Sequence, residues 1–332
     1  MKAVVVTAYG TTEVLEYQDV PKPSPKAGEL LIRVKASAVG FGDTKVRSGA
    51  YDDKEGFHGP KPPVILGFQA SGIVEGAGAG VDQAWIGRNV VCNAINTNAE
   101  YIVCPVGDVA RMPDGVPFDV ATLIPNFYLT AYHVLETAID HKPGQVVIMY
   151  APAGGVGTAL VQLGKLAGLR IIAVTSSPEK CRFALEQGAE HAIDMNRENV
   201  VEQVGKLTGG KGVDIIFNSI LGESVLDDID MLAPYGKLLI YGEAQGLPQG
   251  DIFRKWYNHG LQHSTSIVSF SLFTVMNWQP ELIPQSMEAL LQLVAEKKIA
   301  PQIYAKFPLT DVAKAHDLFE SRAVMGNVVI EP

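Results

Sequence analysis

Cysteine is scarce in this 332-residue chain, and its three thiols, Cys92, Cys104 and Cys181, are odd in number and scattered. That pattern excludes a disulfide framework and a cysteine-rich metal cluster. Positive charge is the minority as well. The chain has 27 Lys and Arg against 36 Asp and Glu, a net charge of −9 that argues against a nucleic-acid surface and an anionic membrane partner. No apolar run approaches the ~20 residues of a membrane span. Residues 1–7 read as a first strand and lack the longer apolar core and cleavage site of a signal peptide. There is no low-complexity tract and no internal repeat. The composition, 47% hydrophobic and 19% charged, predicts a cytoplasmic-type globular protein long enough for two domains.

The stretch 145–180 carries the strongest signal. Residues 146–149 form a β-branched apolar run suited to a strand buried on both faces. A turn of small residues follows, Ala153-Gly154-Gly155-Val156-Gly157, and then a helical pattern in which Leu160, Leu163, Leu166 and Ala167 recur at spacings of three and four. A second apolar strand over 170–174 completes a βαβ unit. The G-x-G-x-x-G pattern is incomplete, because Pro152 stands where its first glycine would be. A glycine turn alone is also a common strand-to-helix connection. Placed after a strand, opening a helix and followed by a second strand, it reads as a dinucleotide site.

The second strand end bears on which dinucleotide. An acidic residue there would bind the ribose 2′-hydroxyl of NAD and repel a 2′-phosphate. This chain has Thr175-Ser176-Ser177-Pro178-Glu179-Lys180. The hydroxyls of Ser176 and Ser177 and the ammonium of Lys180 suit a phosphate dianion and favour NADPH. Ser177 before Pro178 also reads as an ordinary helix N-cap, and Lys180 as a solvated charge.

The first 120 or so residues read mainly as β, with strands near 2–8, 29–37, 71–76, 89–92 and 101–105 broken by Pro and Gly clusters, the rhythm of a barrel-like domain. Two short helical segments are expected over 118–135, separated near Pro125. From 191 to 241, strands and helices alternate, which predicts a parallel, doubly wound sheet. A long amphipathic helix over 283–296, a strand near 303–307, a helix over 311–321 and a last strand over 326–330 form a tail expected to return to the first domain.

Together these pieces resemble the medium-chain dehydrogenase/reductase superfamily in its zinc-free quinone oxidoreductase branch. The likeness runs through Arg47-Ser48-Gly49-Ala50-Tyr51, Pro63-Val64-Ile65-Leu66-Gly67, Leu129-Thr130-Ala131-Tyr132, Gly212-Val213-Asp214 and Gly326-Asn327-Val328-Val329. Lys255-Trp256-Tyr257-Asn258 is most similar to the vesicle amine transport protein-like reductases. The resemblance implies an α/β protein. A GroES-like β-barrel-type catalytic domain would cover 1–122 and 265–332, and a Rossmann NADPH-binding domain 123–264. It also implies hydride delivery to a quinone or an α,β-unsaturated carbonyl, and a homodimer. Two other outcomes are compatible with the fold: a cofactor-binding protein that works by association, and an enoyl-thioester reductase.

Zinc-dependent members carry a Cys within the segment matching Gly40-Phe41-Gly42-Asp43 and a Gly-His-Glu at Gly67-Phe68-Gln69. Phe68 cannot ligate and Gln69 is a poor ligand. His58, His133 and His141 show no metal-like spacing, so no metal is expected. The resemblance places Phe41, Asp43 and Thr130 beside the nicotinamide, with Tyr241, Gly242 and Phe270. The family's Asn is here Gly40. Tyr51 would line the acceptor pocket or donate a proton; it reads equally as a packed loop aromatic. Asn218 ends a parallel strand, where ligands bind in such sheets, and stands where many relatives have Asp. Asn327 replaces a frequent Lys, and Met195 a Tyr, at the phosphate end. The loop 52–62 is expected to border the acceptor entrance as a lid.

Overall fold

Alternation of apolar and polar residues builds the first unit. In the computed structural model, which describes residues 1–52 and 59–332, the chain opens with β1 (Lys2–Val6), β2 (Leu15–Asp19), β3 (Glu29–Val39) and α1 (Phe41–Ser48). It continues through β4 (Val64–Ile65), β5 (Gln69–Ala77), β6 (Asn89–Asn93), β7 (Tyr101–Pro105), β8 (Val109–Arg111) and α2 (Phe118–Ala121). Over the first part of β3 every second residue points inward: Leu30, Ile32 and Val34 pack with Val74, Val90, Ile102 and Val109, and the last four residues are all buried. Burying each such side chain stabilises the fold by about 1.5–3 kcal/mol. β3 pairs antiparallel with β5 and β7, and β6 lies between β5 and β8. β2 escapes the sequence reading because four of its five residues, Leu-Glu-Tyr-Gln-Asp, carry polar groups and all are half or fully exposed. Among the described residues it pairs only with β1, at the edge of a three-stranded sheet.

Unit two, Thr130–Asn277, is organised by near-continuous apolar strands. It takes in most of α3 (Leu129–Glu136), then β9 (Val146–Tyr150), α4 (Gly155–Leu166), β10 (Arg170–Thr175), α5 (Pro178–Gln187), β11 (His191–Asp194) and α6 (Val200–Thr208). β12 (Val213–Asn218), α7 (Ser224–Met231), β13 (Leu232–Ile240), α8 (Ile252–His263), β14 (Ser266–Ser269) and α9 (Leu272–Trp278) follow. Six strands pair in parallel in the order β11-β10-β9-β12-β13-β14, the doubly wound sheet the alternation predicts. The chain works outward from β9 in one direction and then from β12 in the other, so the switch point lies between those two strands.

The tail comprises α10 (Leu282–Ala295), β15 (Ile303–Pro308), α11 (Val312–Glu320) and β16 (Asn327–Glu331), and it belongs to the first unit, Met1–Leu129 with Trp278–Pro332. β16 pairs antiparallel with β3. Two boundaries differ from expectation. The second unit runs to Asn277 rather than 264, because β14 is the sixth strand of the parallel sheet. It starts at Thr130 rather than 123, because the turn preceding α3 stays with the first unit. That turn, Ile124–Tyr128, is a π-helix rather than a break at Pro125. Most of the expected lid, and His58, lie outside the described residues.

Candidate functional site

The glycine turn sits at the C-terminal end of β9. Ala151 there has φ +50, a left-handed conformation uncommon for a residue with a Cβ. Its carbonyl accepts from Gly154 N–H at 3.1 Å. Gly154 is the N-cap of α4 and has no side chain with which to cap it. The first helical bond runs from Thr158 N to Gly154 O at 2.8 Å, which leaves the N–H groups of Gly155, Val156 and Gly157 without an intrahelical acceptor. Gly157 packs so closely that a Cβ would lie 2.8 Å from Ala151 C and 2.9 Å from Pro152 Cα. The result is an uncapped helix N-terminus, open at Gly154 and half-open at Gly155 and Val156, which fits an anionic diphosphate.

The end of β10 lies next to this turn in the sheet. Thr175 is buried, and its hydroxyl donates to Ser177 O at 3.2 Å. Ser177 caps α5 by accepting from Lys180 N–H at 3.3 Å, so the N-cap reading holds for it. Ser176 is exposed, and Lys180 Nζ is 3.5 Å from its Oγ. Asn196 joins them, its Nδ2 donating to Ser176 O at 2.8 Å. Sequence reasoning missed Asn196 because it follows β11, 20 residues further on. Met195 turns instead into the apolar core of the sheet. Glu179, the nearest carboxylate in the chain, pairs with Arg182 at 3.4 Å.

At the end of β12 the structure corrects the reading of Asn218. Its side chain is fully buried: Nδ2 donates to Asp228 Oδ2 at 2.6 Å, and Oδ1 accepts from Ile220 and Leu221 N–H, both at 2.8 Å. Asp228 also accepts from Tyr150 Oη at 2.6 Å, and burial pushes its carboxyl up to about 7. Asn218 therefore ties a strand end to α7 and presents no polar atom to a ligand. Tyr241, Gly242 and Phe270 do gather at neighbouring strand ends. Tyr241 N–H donates to Asn218 O and Phe270 N–H to Ile240 O. Burial pushes the Tyr241 phenol up to about 12. At Gly242 a Cβ would come within 2.7 Å of Ser219 O, so only glycine allows this close approach of the two loops.

In the first unit, Asp43 is also engaged internally. It is 2% exposed; Oδ2 accepts from Gly40 N–H and Oδ1 from Gly67 N–H, both at 2.8 Å. The side chain of Asp43 makes a structural contact instead, reaching back to the N-cap N–H of Gly40 and tying the start of α1 to the turn at Gly67. Phe41, the first residue of α1, stays 37% exposed, with Lys45 Nζ 4.9 Å from its ring. Tyr51 is half-buried and lines a small pocket with Tyr9, Val46 and Gly49; burial raises its phenol, so it stays protonated at neutral pH. Asn327 is buried, its Nδ2 donating to Gln302 O at 2.8 Å. Gln69 Oε1 accepts from Asn126 N–H at 3.1 Å. Among the described residues no three His, Cys, Asp or Glu gather to hold a metal ion. Thr130 lies in the first turn of α3, half-buried, in the second unit.

Comparison with known proteins agrees with this architecture. Residues 26–116 match the alcohol dehydrogenase GroES-like domain and residues 155–295 the family described as zinc-binding dehydrogenase. A quinone oxidoreductase of Pseudomonas aeruginosa is 30% identical over 100% of this chain and 99% of its own length. A zebrafish (Danio rerio) synaptic vesicle membrane protein VAT-1 homolog is 30% identical over 99% of this chain and 69% of its own length. The crystal structure of Escherichia coli quinone oxidoreductase complexed with NADPH superposes with a TM-score of 0.91 at 27% identity, covering 100% of both chains. With both domain models matched and relatives aligned from end to end, the chain belongs to the medium-chain dehydrogenase/reductase superfamily, in its quinone oxidoreductase branch.

Proposed function

We propose that the protein is an NADPH-dependent reductase that delivers hydride to a quinone or an α,β-unsaturated carbonyl without zinc. The observation that carries this reading is the uncapped N-terminus of α4 beside a β10 end that offers Ser176 and Lys180 where an NAD site would place a carboxylate. The N–H groups of Gly155, Val156 and Gly157 surround the diphosphate position, with Gly154 forming the turn that opens the helix towards it. Ser176 Oγ, Lys180 Nζ and Asn196 hold the 2′-phosphate, with Ser177 fixing the helix that carries Lys180. Tyr241, Gly242, Phe270 and Thr130 belong to the nicotinamide end. Phe41 and Tyr51 are the acceptor-side residues of the first unit, Tyr51 as a neutral donor to a carbonyl oxygen. Bound NADPH supplies the hydride, which with one proton from water yields a hydroquinone or a saturated carbonyl.

The deciding experiment follows NADPH and NADH oxidation with ortho-quinones, para-quinones and enones. Turnover that prefers NADPH is expected; tight NADPH binding without turnover on any acceptor would sink the enzymatic half of the proposal. Lys180→Ala is expected to weaken NADPH binding about tenfold, roughly 1.4 kcal/mol, and to leave NADH within about twofold. Nucleotide fluorescence titration checks this, and equal losses for both cofactors would remove Lys180 from the phosphate site.

The outer edge of β14 has no strand partner among the described residues, and Ser266 and Ser269 on it are exposed. Such an edge accepts another strand, which supports a homodimer formed by two β14 edges. Light scattering should give about twice the 35.7 kDa chain mass; a monomer at micromolar concentration would overturn it. The three unpaired cysteines, two of them buried, suit a reducing compartment such as the cytoplasm.

A further inference from the structure

The π turn Ile124–Tyr128 is held from several sides by side chains that are almost wholly buried. Gln69, 2% exposed, accepts from Asn126 N–H at 3.1 Å. Asn93, 8% exposed, donates from Nδ2 to Pro125 O at 2.7 Å. Thr122, just ahead of the turn and fully buried, donates to Ala36 O at 3.1 Å. Tyr128 N–H reaches back five residues to Leu123 O at 3.2 Å, the bond that defines a π turn. Single π turns inside helices are rare and concentrate at functional sites. Here four of the five residues, Ile124, Pro125, Phe127 and Tyr128, are buried. Asn126 alone is half-open, and its carboxamide makes no hydrogen bond to another described residue.

What stands beside Asn126 narrows its role. The Phe127 ring covers Gly40: a Cβ at Gly40 would lie 3.0 Å from Phe127 Cε1 and 3.3 Å from Cζ. Gly42 similarly faces the Phe68 ring, whose Cε2 would be 3.6 Å from a Cβ. The segment Gly40-Phe41-Gly42-Asp43 therefore offers aromatic and backbone surface, and a side chain at position 40 would press on the Phe127 ring. The clamped turn that supplies this ring carries a carboxamide one residue earlier, at Asn126. Hydride addition to a quinone or enone leaves negative charge on the carbonyl oxygen. Without a metal, that charge needs a positioned hydrogen-bond donor. A carboxamide on a clamped turn is such a donor, its supporting shell already built.

We propose that Asn126 binds the acceptor, its Nδ2 donating to the carbonyl oxygen that gains charge on hydride transfer. This rests on the reductase reading above. The test uses the full chain with NADPH and compares wild type with Asn126→Ala, Asn126→Asp and Asn126→Gln. Asn126→Ala should lower kcat/KM about 10- to 100-fold on both quinone and enone acceptors, mostly through kcat. Asn126→Asp should be lower still, because a carboxylate accepts only and repels the developing oxyanion. Asn126→Gln should recover part of the loss. The Tm and the Kd for NADPH should match wild type in all three, since the clamp holds the backbone of Asn126 rather than its side chain. Gln69→Leu, which breaks the clamp, should lower Tm and serves as the structural comparator. Unchanged turnover in Asn126→Ala and Asn126→Asp overturns the proposal and leaves the reductase reading standing, as does a loss of activity matched by a fall in Tm. A wild-type protein that binds NADPH but reduces no acceptor overturns both.

Discussion

Gly157→Ala should all but eliminate dinucleotide binding and strongly destabilise the second unit. The added Cβ would overlap the Ala151 carbonyl oxygen and lie 2.8 Å from its carbon and 2.9 Å from Pro152 Cα. All three atoms are backbone, so none can swing aside as a side-chain end would. Relief requires α4 to move away from β9. That movement separates the helix N-terminus from the strand-end turn on which the diphosphate would sit. Ala151, already left-handed at φ +50, has little freedom to yield. Forced backbone shifts of this kind cost about 1–3 kcal/mol and sometimes more. NADPH affinity should fall at least about 100-fold, the equivalent of roughly 2.7 kcal/mol. Gly154→Ala is the control: its Cβ would be 3.6 Å from Ala151 O, an ordinary contact, so that variant should keep its Tm. Thermal melts and fluorescence titration on the two variants measure the difference. If Gly157→Ala binds NADPH like wild type, the turn is not the cofactor site.

Asp43→Ala should destabilise the first unit by about 2–6 kcal/mol, because it strands the N–H groups of Gly40 and Gly67. Each buried donor left without a partner costs about 1–3 kcal/mol. Asp43→Asn should lose about half as much, since one of its two terminal atoms is itself a donor. The loss should be general: Gly67 leads to Gln69, which holds the π turn, so acceptor turnover falls along with Tm.

A pH dependence accompanies this. Burial pushes the Asp43 carboxyl up to about 7, against the backbone N–H groups that pull it down. Its unfolded counterpart titrates near 3.8. Between those values the unfolded chain releases the proton first, so this group's contribution to stability falls as pH rises from about 4 to 7 and is flat above. Across that range the slope of stability against pH should be more positive for Asp43→Ala than for wild type. An identical slope would mean that Asp43 is ionised in the fold throughout.

Much of the second unit was legible in the sequence because its signals are local. The apolar run of β9, the small-residue turn and the 3–4 spacing of α4 lie within about twenty residues, and each follows from strand and helix geometry alone. The N-cap at Ser177 and the missing carboxylate at the end of β10 could be read the same way. What the sequence did not reveal was whether a polar side chain has a ligand or an internal partner. Asn218 meets Asp228, Asp43 meets Gly67, and Asn327 meets Gln302. Those partners arrive through folding, and a buried polar group is held by whichever complementary atom the tertiary structure brings within hydrogen-bond reach. The same holds for Asn196, which reaches Ser176 only because β10 and β11 are neighbours, and for Phe127, whose ring fills the space above Gly40. Sequence by itself determined the two-domain α/β architecture and the dinucleotide turn, because periodicity and glycine sterics act over a few residues. Only the tertiary structure decided which of the candidate side chains remain available to a ligand, because hydrogen-bond satisfaction and close packing are set by contacts between residues far apart in the chain.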